Sequence, residues 1–398
     1  MESKYTFVRF NLTFENMLRL SSLPLIIILF ACSQQNNEGL KSDSISISID
    51  SVRVDAKDQF LYLNSYLRHS DLSEDKKFLF NFNLDKHHIE QIDLDKLELV
   101  NTYPMEKEGP DGIGTNIHNI RYLQNDTFFI SSYERSGIVN LEGEKILDIS
   151  FDIHDLKGSQ ISPSASLQEI QIHPNNTNLI YAIFNDWREM EYIFAKIDLK
   201  TKIVEIIDLP EFNDVEKQYI GLTDQEGKTL TMNGPTPYLD LFEDQIYISN
   251  ITDSAVYILD LKNDTLQFKQ PNHKIFNLSR KGPSVPKTES FETFKAQVLA
   301  VREDINFSRV LYDPDRKLHY RFSFNEVYND GKIEEGPTRT TNYLSVFDSE
   351  FDLVSEHRIK SLTITPLKFF VKNQKIWIYK NFEDEMGFLR LSLHDVKG

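Results

Sequence analysis

The chain has 398 residues, of which 40% are hydrophobic, 12% aromatic and 26% charged, with a formal charge of −17. This composition excludes a disordered or fibrous chain. The acidic balance argues against nucleic acid as a partner, because binding it requires basic patches that neutralise phosphates.

Residues Leu23–Ala31 form a short apolar run between Arg19 and Cys32, and the polar run Ser33–Asn37 follows. It is too short for a membrane-spanning helix, which needs about 20 residues, but suits the apolar centre of an export signal. Leu29-Phe30-Ala31-Cys32 resembles a bacterial lipobox, in which a small residue precedes the cysteine that is diacylated and becomes the mature N-terminus. Met17 is an alternative start. The expected division is a lipoprotein signal over 1–31, a tether over 32–43 and one folded domain over 44–398. Cys32 is the single cysteine. Once lipidated, it leaves no disulfide, no thiolate metal site and no Cys nucleophile, so the core alone must hold the fold. Cleavage removes three Lys/Arg and two Asp/Glu, leaving 41 against 59, a net −18. The expected membrane contact is therefore through the N-terminal lipid.

The stretch Leu179–Leu209 reads as three strands. Apolar residues alternate with others through much of it, the period of a half-buried strand. The pattern recurs. Six segments match the second strand of a unit: Phe78–Asn83, Thr127–Ser132, Leu179–Phe184, Gln245–Asn250, Leu318–Phe324 and Lys375–Lys380. A polar turn such as Asp313-Pro314-Asp315 precedes each, and before most turns lies an apolar strand such as Asn119–Leu123, Glu169–His173 or Leu367–Val371. A third strand follows each, ending in a turn such as Ile197-Asp198-Leu199-Lys200-Thr201, and the first five units add a fourth strand. Four short antiparallel strands repeated six times predict an all-β, six-bladed β-propeller with about 59 residues per blade. The sixth unit lacks its fourth strand. Ser44–Val54 alternates cleanly at the other end of the chain, and is expected to pair with Phe388–Leu393 and close the last blade.

The long connections are Glu106–Asn116, Asp152–Ser166, Pro210–Pro237, Gln270–Asp304 and Asn325–Asn342. All are fourth-to-first or second-to-third connections, so they belong on one face, with tight turns on the other. Insertions gathered on one face mark the expected binding face. Gly-Pro pairs punctuate these loops at 109, 234, 282 and 336. Glu289–Glu303 predicts an amphipathic helix with Phe291, Phe294, Val298 and Val301 on one side. Just before it, Asn272–Lys287 holds His273, Lys274, Arg280, Lys281 and Lys287 with no acidic residue, a run suited to an anionic glycan. The candidate ligand residues on this face are Tyr133, Arg135, Trp187, Arg188, Tyr219, Arg280, Lys281 and Arg339, with Phe382 beside them. Tyr and Trp stack on sugar rings and Arg forks a carboxylate.

No catalytic motif emerges. His87 and His88 read as strand neighbours facing opposite sides, unable to share a metal. Gly109–Gly114 lacks the strand–turn–helix setting of a dinucleotide site. Ser284–Lys287 fits SxxK by chance. No cofactor or metal is expected. With the Leu29–Cys32 box, the repeated turns and the Gly-Pro loops, the chain resembles an uncharacterised family of Bacteroidota six-bladed propeller lipoproteins, a domain of unknown function in the TolB-like and NHL-like propeller superfamily. That resemblance implies an outer-membrane lipoprotein, on the periplasmic side or the cell surface, and no site residues. The leading functional expectation is a binding or scaffold module for an envelope protein or glycan. The alternative is a metal-dependent hydrolase or lactonase, for which the inner strands offer His118, Asn119 and Asp240. Three or more convergent carboxylate or amide oxygens would favour the enzyme.

Overall fold

Seven sheets hold the strands of the computed structural model, which describes residues 45–132, 135–149, 153–329 and 331–395. The apolar run, Cys32, the tether and Tyr133 lie outside the described residues. Six of the sheets are antiparallel meanders taken in chain order. Sheet I is Ser70–Leu72, Phe78–Asn83, His88–Asp93 and Glu98–Pro104. Sheet II is Ile117–Tyr122, Thr127–Ser132, Ser136–Asn140 and Lys145–Asp148. Sheet III is Ala165–His173, Asn176–Asp186, Glu191–Asp198 and Ile203–Ile206, widened by Lys157–Gly158. Sheet IV is Pro237–Phe242, Gln245–Asn250, Val256–Asp260 and Thr265–Lys269. Sheet V is Asn306–Asp313, Leu318–Val327, Arg339–Phe347 and Leu353–Arg358.

Sheet VI is Phe369–Lys372, Lys375–Phe382 and Glu385–Asp395, completed by the N-terminal strand Ile45–Arg53. Ile47 faces Leu393 and Val52 faces Phe388, so the strand spare at one terminus fills the gap at the other. Gly387 permits the approach, since a Cβ there would stand 2.6 Å from Val52 O and 2.6 Å from the Phe382 ring. Asp50 adds ion pairs to Arg390 at 2.6 Å and Lys375 at 3.1 Å.

The core explains why the sheets need one another. Leu79 and Ile92 of sheet I pack with Trp377 and Phe388 of sheet VI, while Phe80 and Phe82 pack with Ile120 and Phe128 of sheet II. Phe129 of sheet II joins Ile170 and Ile180 of sheet III. Tyr181 and Ile183 join Leu239 and Ile248 of sheet IV, Tyr247 joins Val310 of sheet V, and Phe322 joins Ile376 of sheet VI. Each sheet thus gives its two faces to two different neighbours, and the packing order returns from VI to I. The second strands are therefore buried on both sides. Ile180 to Phe184 are all buried, where a half-buried strand would alternate. The alternation in sequence separates two neighbours rather than core from water.

The third-to-fourth turns recur for a local reason. Asp198 Oδ1 accepts the backbone N–H of Lys200 and Thr201, both at 2.9 Å. Asp93 accepts those of Asp95 and Lys96, and Asp260 those of Lys262 and Asn263. An Asx turn closes the hairpin, and a left-handed residue follows, at Leu97, Lys202 and Asp264. His87 departs from expectation. It lies in a turn with φ 55°, not in a strand, and its buried ring meets Phe82 edge-on.

The insertions carry more structure than expected. Ile220–Thr223, Thr229–Asn233 and Lys287–Thr288 form the seventh, three-stranded sheet. Helix α1, Phe291–Glu303, starts at Ser290, whose side chain accepts the Thr293 N–H. Val298 and Val301 are buried against Ile220, Phe294 packs beside them, and Phe291 stays exposed.

Candidate functional site

The innermost strand of every meander contributes one charged side chain to a common space. They are Asp71, Arg121, Glu169, Asp240, Arg309 and, one residue before its strand, Lys368. Arg121 Nη2 donates to Glu169 at 2.8 Å. Arg309 Nη2 reaches the other oxygen of Glu169 at 3.3 Å, and its Nε lies 3.1 Å from Asp240. Arg309 is on sheet V and Glu169 on sheet III, so this contact passes sheet IV, which requires inner strands facing one centre. A register shift between Phe307 and Val310 frees Arg309 from the ladder, and a bulge re-aims the residue it frees. Glu169 stays in the ladder opposite Ile183, just past the shift that frees Gln168.

Burial and charge compete here. Burial lifts the Asp240 carboxyl to about 6, although Arg309 pulls the other way. Burial lowers Arg309, but Asp240 and Glu169 outweigh it and the net shift is upward. Asp71 accepts the Tyr122 backbone N–H at 2.9 Å. Lys368 Nζ donates to Ser70 O at 2.6 Å, and burial brings its ammonium down to about 8 against the pull of Asp71.

A cavity of about 770 Å³ opens over these groups. Five of the six charged residues line it; Glu169 stands behind them. Its rim is made of first-to-second-strand turns, with Gln124, Asn125, His173 and Asn175, and of the aromatic residues Tyr122, Phe242 and Tyr312. The volume suits a small ligand. This mouth is at the tight-turn end of the sheets, opposite the end assigned to the long connections.

The residues singled out from sequence are dispersed. Arg135 donates to Gly109 O at 2.7 Å and Gly112 O at 3.3 Å, fastening the first long loop. Tyr219 is buried, with its hydroxyl on Asn185 at 2.7 Å and its ring against Tyr192. Burial raises its phenol to about 12. Arg280 is also buried, donating to Gln218 at 2.9 Å and Asn306 at 3.1 Å. Tyr219 and Arg280 thus belong to one interior group. Trp187 is 42% exposed beneath the Arg188 guanidinium, 5.1 Å from its ring centroid. Lys281 and Arg339 are exposed elsewhere on the surface. The basic run does not form one patch, since His273 turns inward onto Glu356 at 2.7 Å and Arg280 is interior.

Of the six ring residues, only Asp240 is singled out by the sequence reading. A signal exists in the others. Asp71, Arg121, Glu169, Asp240, Arg309 and Lys368 each stand directly before an apolar or aromatic residue in or beside the first strand of a unit. Aligning the first strands shows a charge at this place in every unit, though Asp313 and Lys372 add a second charge to two of them.

Cyclically packed four-stranded meanders around a charged central mouth define an all-β, propeller-like module. The chain belongs to the family described as Domain of unknown function (DUF4221), whose model matches residues 42–358. It is similar to the crystal structure of a member of that family from Bacteroides vulgatus, with TM-score 0.64 and 15% identity, over 89% of this chain and 100% of that one. A putative exported protein from Bacteroides fragilis gives TM-score 0.49 at 9% identity over 88% and 96% of the two chains. The β-propeller domain of Cps50 (Swd1) from Myceliophthora thermophila gives 0.37 at 9% identity over 86% and 99%. No curated protein matches the chain. Among the described residues, no helix is long and apolar enough to cross a membrane.

Proposed function

We propose that this chain is a six-bladed β-propeller serving as a ligand-binding module of the bacterial envelope, held at the outer membrane by a lipid on Cys32. Its ligand sits in the mouth of the central channel. One observation carries this reading: each of the six meanders brings one charged side chain to a single site, and five of the six line a cavity of about 770 Å³. Convergent polar groups in a preformed cavity are the ordinary mark of a binding site. The cyclic packing of the sheets supports the blade count, and the apolar run ending at Cys32 supports the anchor. Three carboxylates, Asp71, Glu169 and Asp240, do meet at this site, which speaks for the hydrolase reading, but two of the three are held by arginines. Glu169 and Asp240 turn to Arg309 rather than to each other, so their oxygens are already committed to N–H donors. No group of three metal-ligating side chains occurs among the described residues.

A thermal-shift screen of the mature protein against envelope sugars, amino acids and short peptides tests the seat. Thr177 is an exposed rim residue, and Thr177→Trp narrows the mouth at a position outside the buried core. Ligands that stabilise the wild type should lose their effect in this variant. Unchanged binding would place the seat elsewhere. The exposed Trp187–Arg188 stack is then the next surface to test, with Trp187→Ala.

A further inference from the structure

The charges of the central ring are unequally satisfied. Glu169 is shared by two guanidiniums, and Asp240 takes Arg309 together with the Val310 N–H at 3.2 Å. Two acids therefore consume the two arginines. Lys368 and Asp71 remain. The Lys368 ammonium has three N–H groups, gives one to Ser70 O, and pairs with no carboxylate among the described residues. Asp71 keeps an oxygen beyond the one bonded to the Tyr122 N–H. Both side chains line the cavity. Lys368 is half-buried at the wall of the cavity, and an anion placed against its remaining N–H groups gains a charge-assisted hydrogen bond. Arg121 and Arg309 stand nearby, but Glu169 and Asp240 offset their charge, so the ammonium of Lys368 is the ring cation left facing the cavity.

We propose that Lys368 is the anchor for a carboxylate on a small ligand, and that Asp71 accepts a hydrogen bond from a donor beside that carboxylate. This rests on the channel-mouth reading above and names its ligand class. Two sources share the chemistry. A uronic acid carries hydroxyls near its carboxylate, and a free α-amino acid carries an ammonium. The rim suits either, with amides from Gln124 and Asn125 and aromatic rings from Tyr122 and Tyr312. In the sequence Lys368 reads only as part of the apolar strand Leu367–Val371 and not as a ligand residue.

The test is isothermal titration of the mature protein with galacturonate and its short oligomers, with glucose as the neutral control, and with a set of L-amino acids. The expected result is binding of an acid at millimolar concentration or below, with glucose inert. Lys368→Met should weaken it at least ~10-fold, the loss of a charge-assisted bond. A carboxylate on Lys368 raises the pKa that burial holds at about 8. Titrations in buffers of different ionisation enthalpy should then show uptake of up to about half a proton near that pH in the wild type and none in Lys368→Met. Asp71→Asn separates the sources. It should weaken an amino acid strongly and a uronate little, because an amide oxygen still accepts from a hydroxyl.

Equal binding of glucose and galacturonate would overturn the proposal. So would wild-type affinity with proton uptake in Lys368→Met, or no binding by any carboxylate in the panel. Acid binding that survives Thr177→Trp instead removes the seat itself, and this assignment with it. A neutral ligand that Thr177→Trp blocks and Lys368→Met leaves alone keeps the seat and discards the carboxylate. Lys368→Met removes a charge that is costly to bury and leaves an apolar stem, so folding should survive it.

Discussion

Replacing Arg309 by Met removes the cation that faces both Glu169 and Asp240. Arg121 still holds Glu169 at 2.8 Å, but Asp240 is left with one backbone N–H. In the wild type the Asp240 carboxyl already sits at about 6, above its ordinary 3.8. Keeping it ionised at neutral pH therefore opposes folding by roughly 3 kcal/mol, at 1.36 kcal/mol per pKa unit. Without Arg309 its folded-state pKa climbs further. Breaking a buried pair from one side costs about 3–5 kcal/mol. The sign over pH follows from linkage. A carboxyl whose folded-state pKa is raised binds more protons folded than unfolded, so stability falls as pH rises from its unfolded value through its folded one. Arg309→Met should lose most stability above about pH 7 and recover part of it near pH 5, as Asp240 protonates. Arg309→Met with Asp240→Asn should be more stable at high pH than Arg309→Met alone. Urea unfolding followed by circular dichroism at several pH values measures all three. A loss of the same size at every pH, or no rescue by Asp240→Asn, would refute the account of a buried, cation-dependent carboxylate.

Gly387→Ala places a methyl against Val52 O and the Phe382 ring, and should cost ~1–3 kcal/mol by overpacking the seam between the two termini; differential scanning calorimetry reads it. Arg321 is fully buried and donates to the carbonyls of Ser308, Ser254, Asn250 and Asp253 at 2.7–3.0 Å. Arg321→Met leaves these oxygens without their donor and should cost about 4 kcal/mol, with Arg321→Lys intermediate because an ammonium has fewer donors. Tyr219→Phe removes the bond to Asn185 and should lower stability by about 1 kcal/mol in chemical denaturation while leaving ligand affinity unchanged.

Much of the architecture is carried by local chemistry. Strand alternation, Asx turns such as Asp198 with Lys200 and Thr201, and the spare strand near residue 45 are properties of short segments, so they can be read without coordinates. The strand pair at Ile220–Thr223 and Thr229–Asn233 escaped because it is short, interrupts a long connection, and takes its third member from Lys287–Thr288, far along the chain. Helix α1 was legible from its apolar spacing.

The site was not legible in the same way. Arg135, Tyr219 and Arg280 have the right chemistry for sugar recognition, but they point into loop carbonyls and interior amides rather than to the surface. Whether a polar side chain binds a ligand or its own protein depends on who stands next to it, and that is a matter of tertiary distance. Sequence by itself determined the strands, their grouping in fours and the pairing of the two termini, because period-two patterning and turn residues act over a few positions. Only the tertiary structure decided that Asp71, Arg121, Glu169, Asp240, Arg309 and Lys368 meet, since residues spread over 298 positions become neighbours only when inner strands converge, and that convergence leaves Lys368 without a carboxylate.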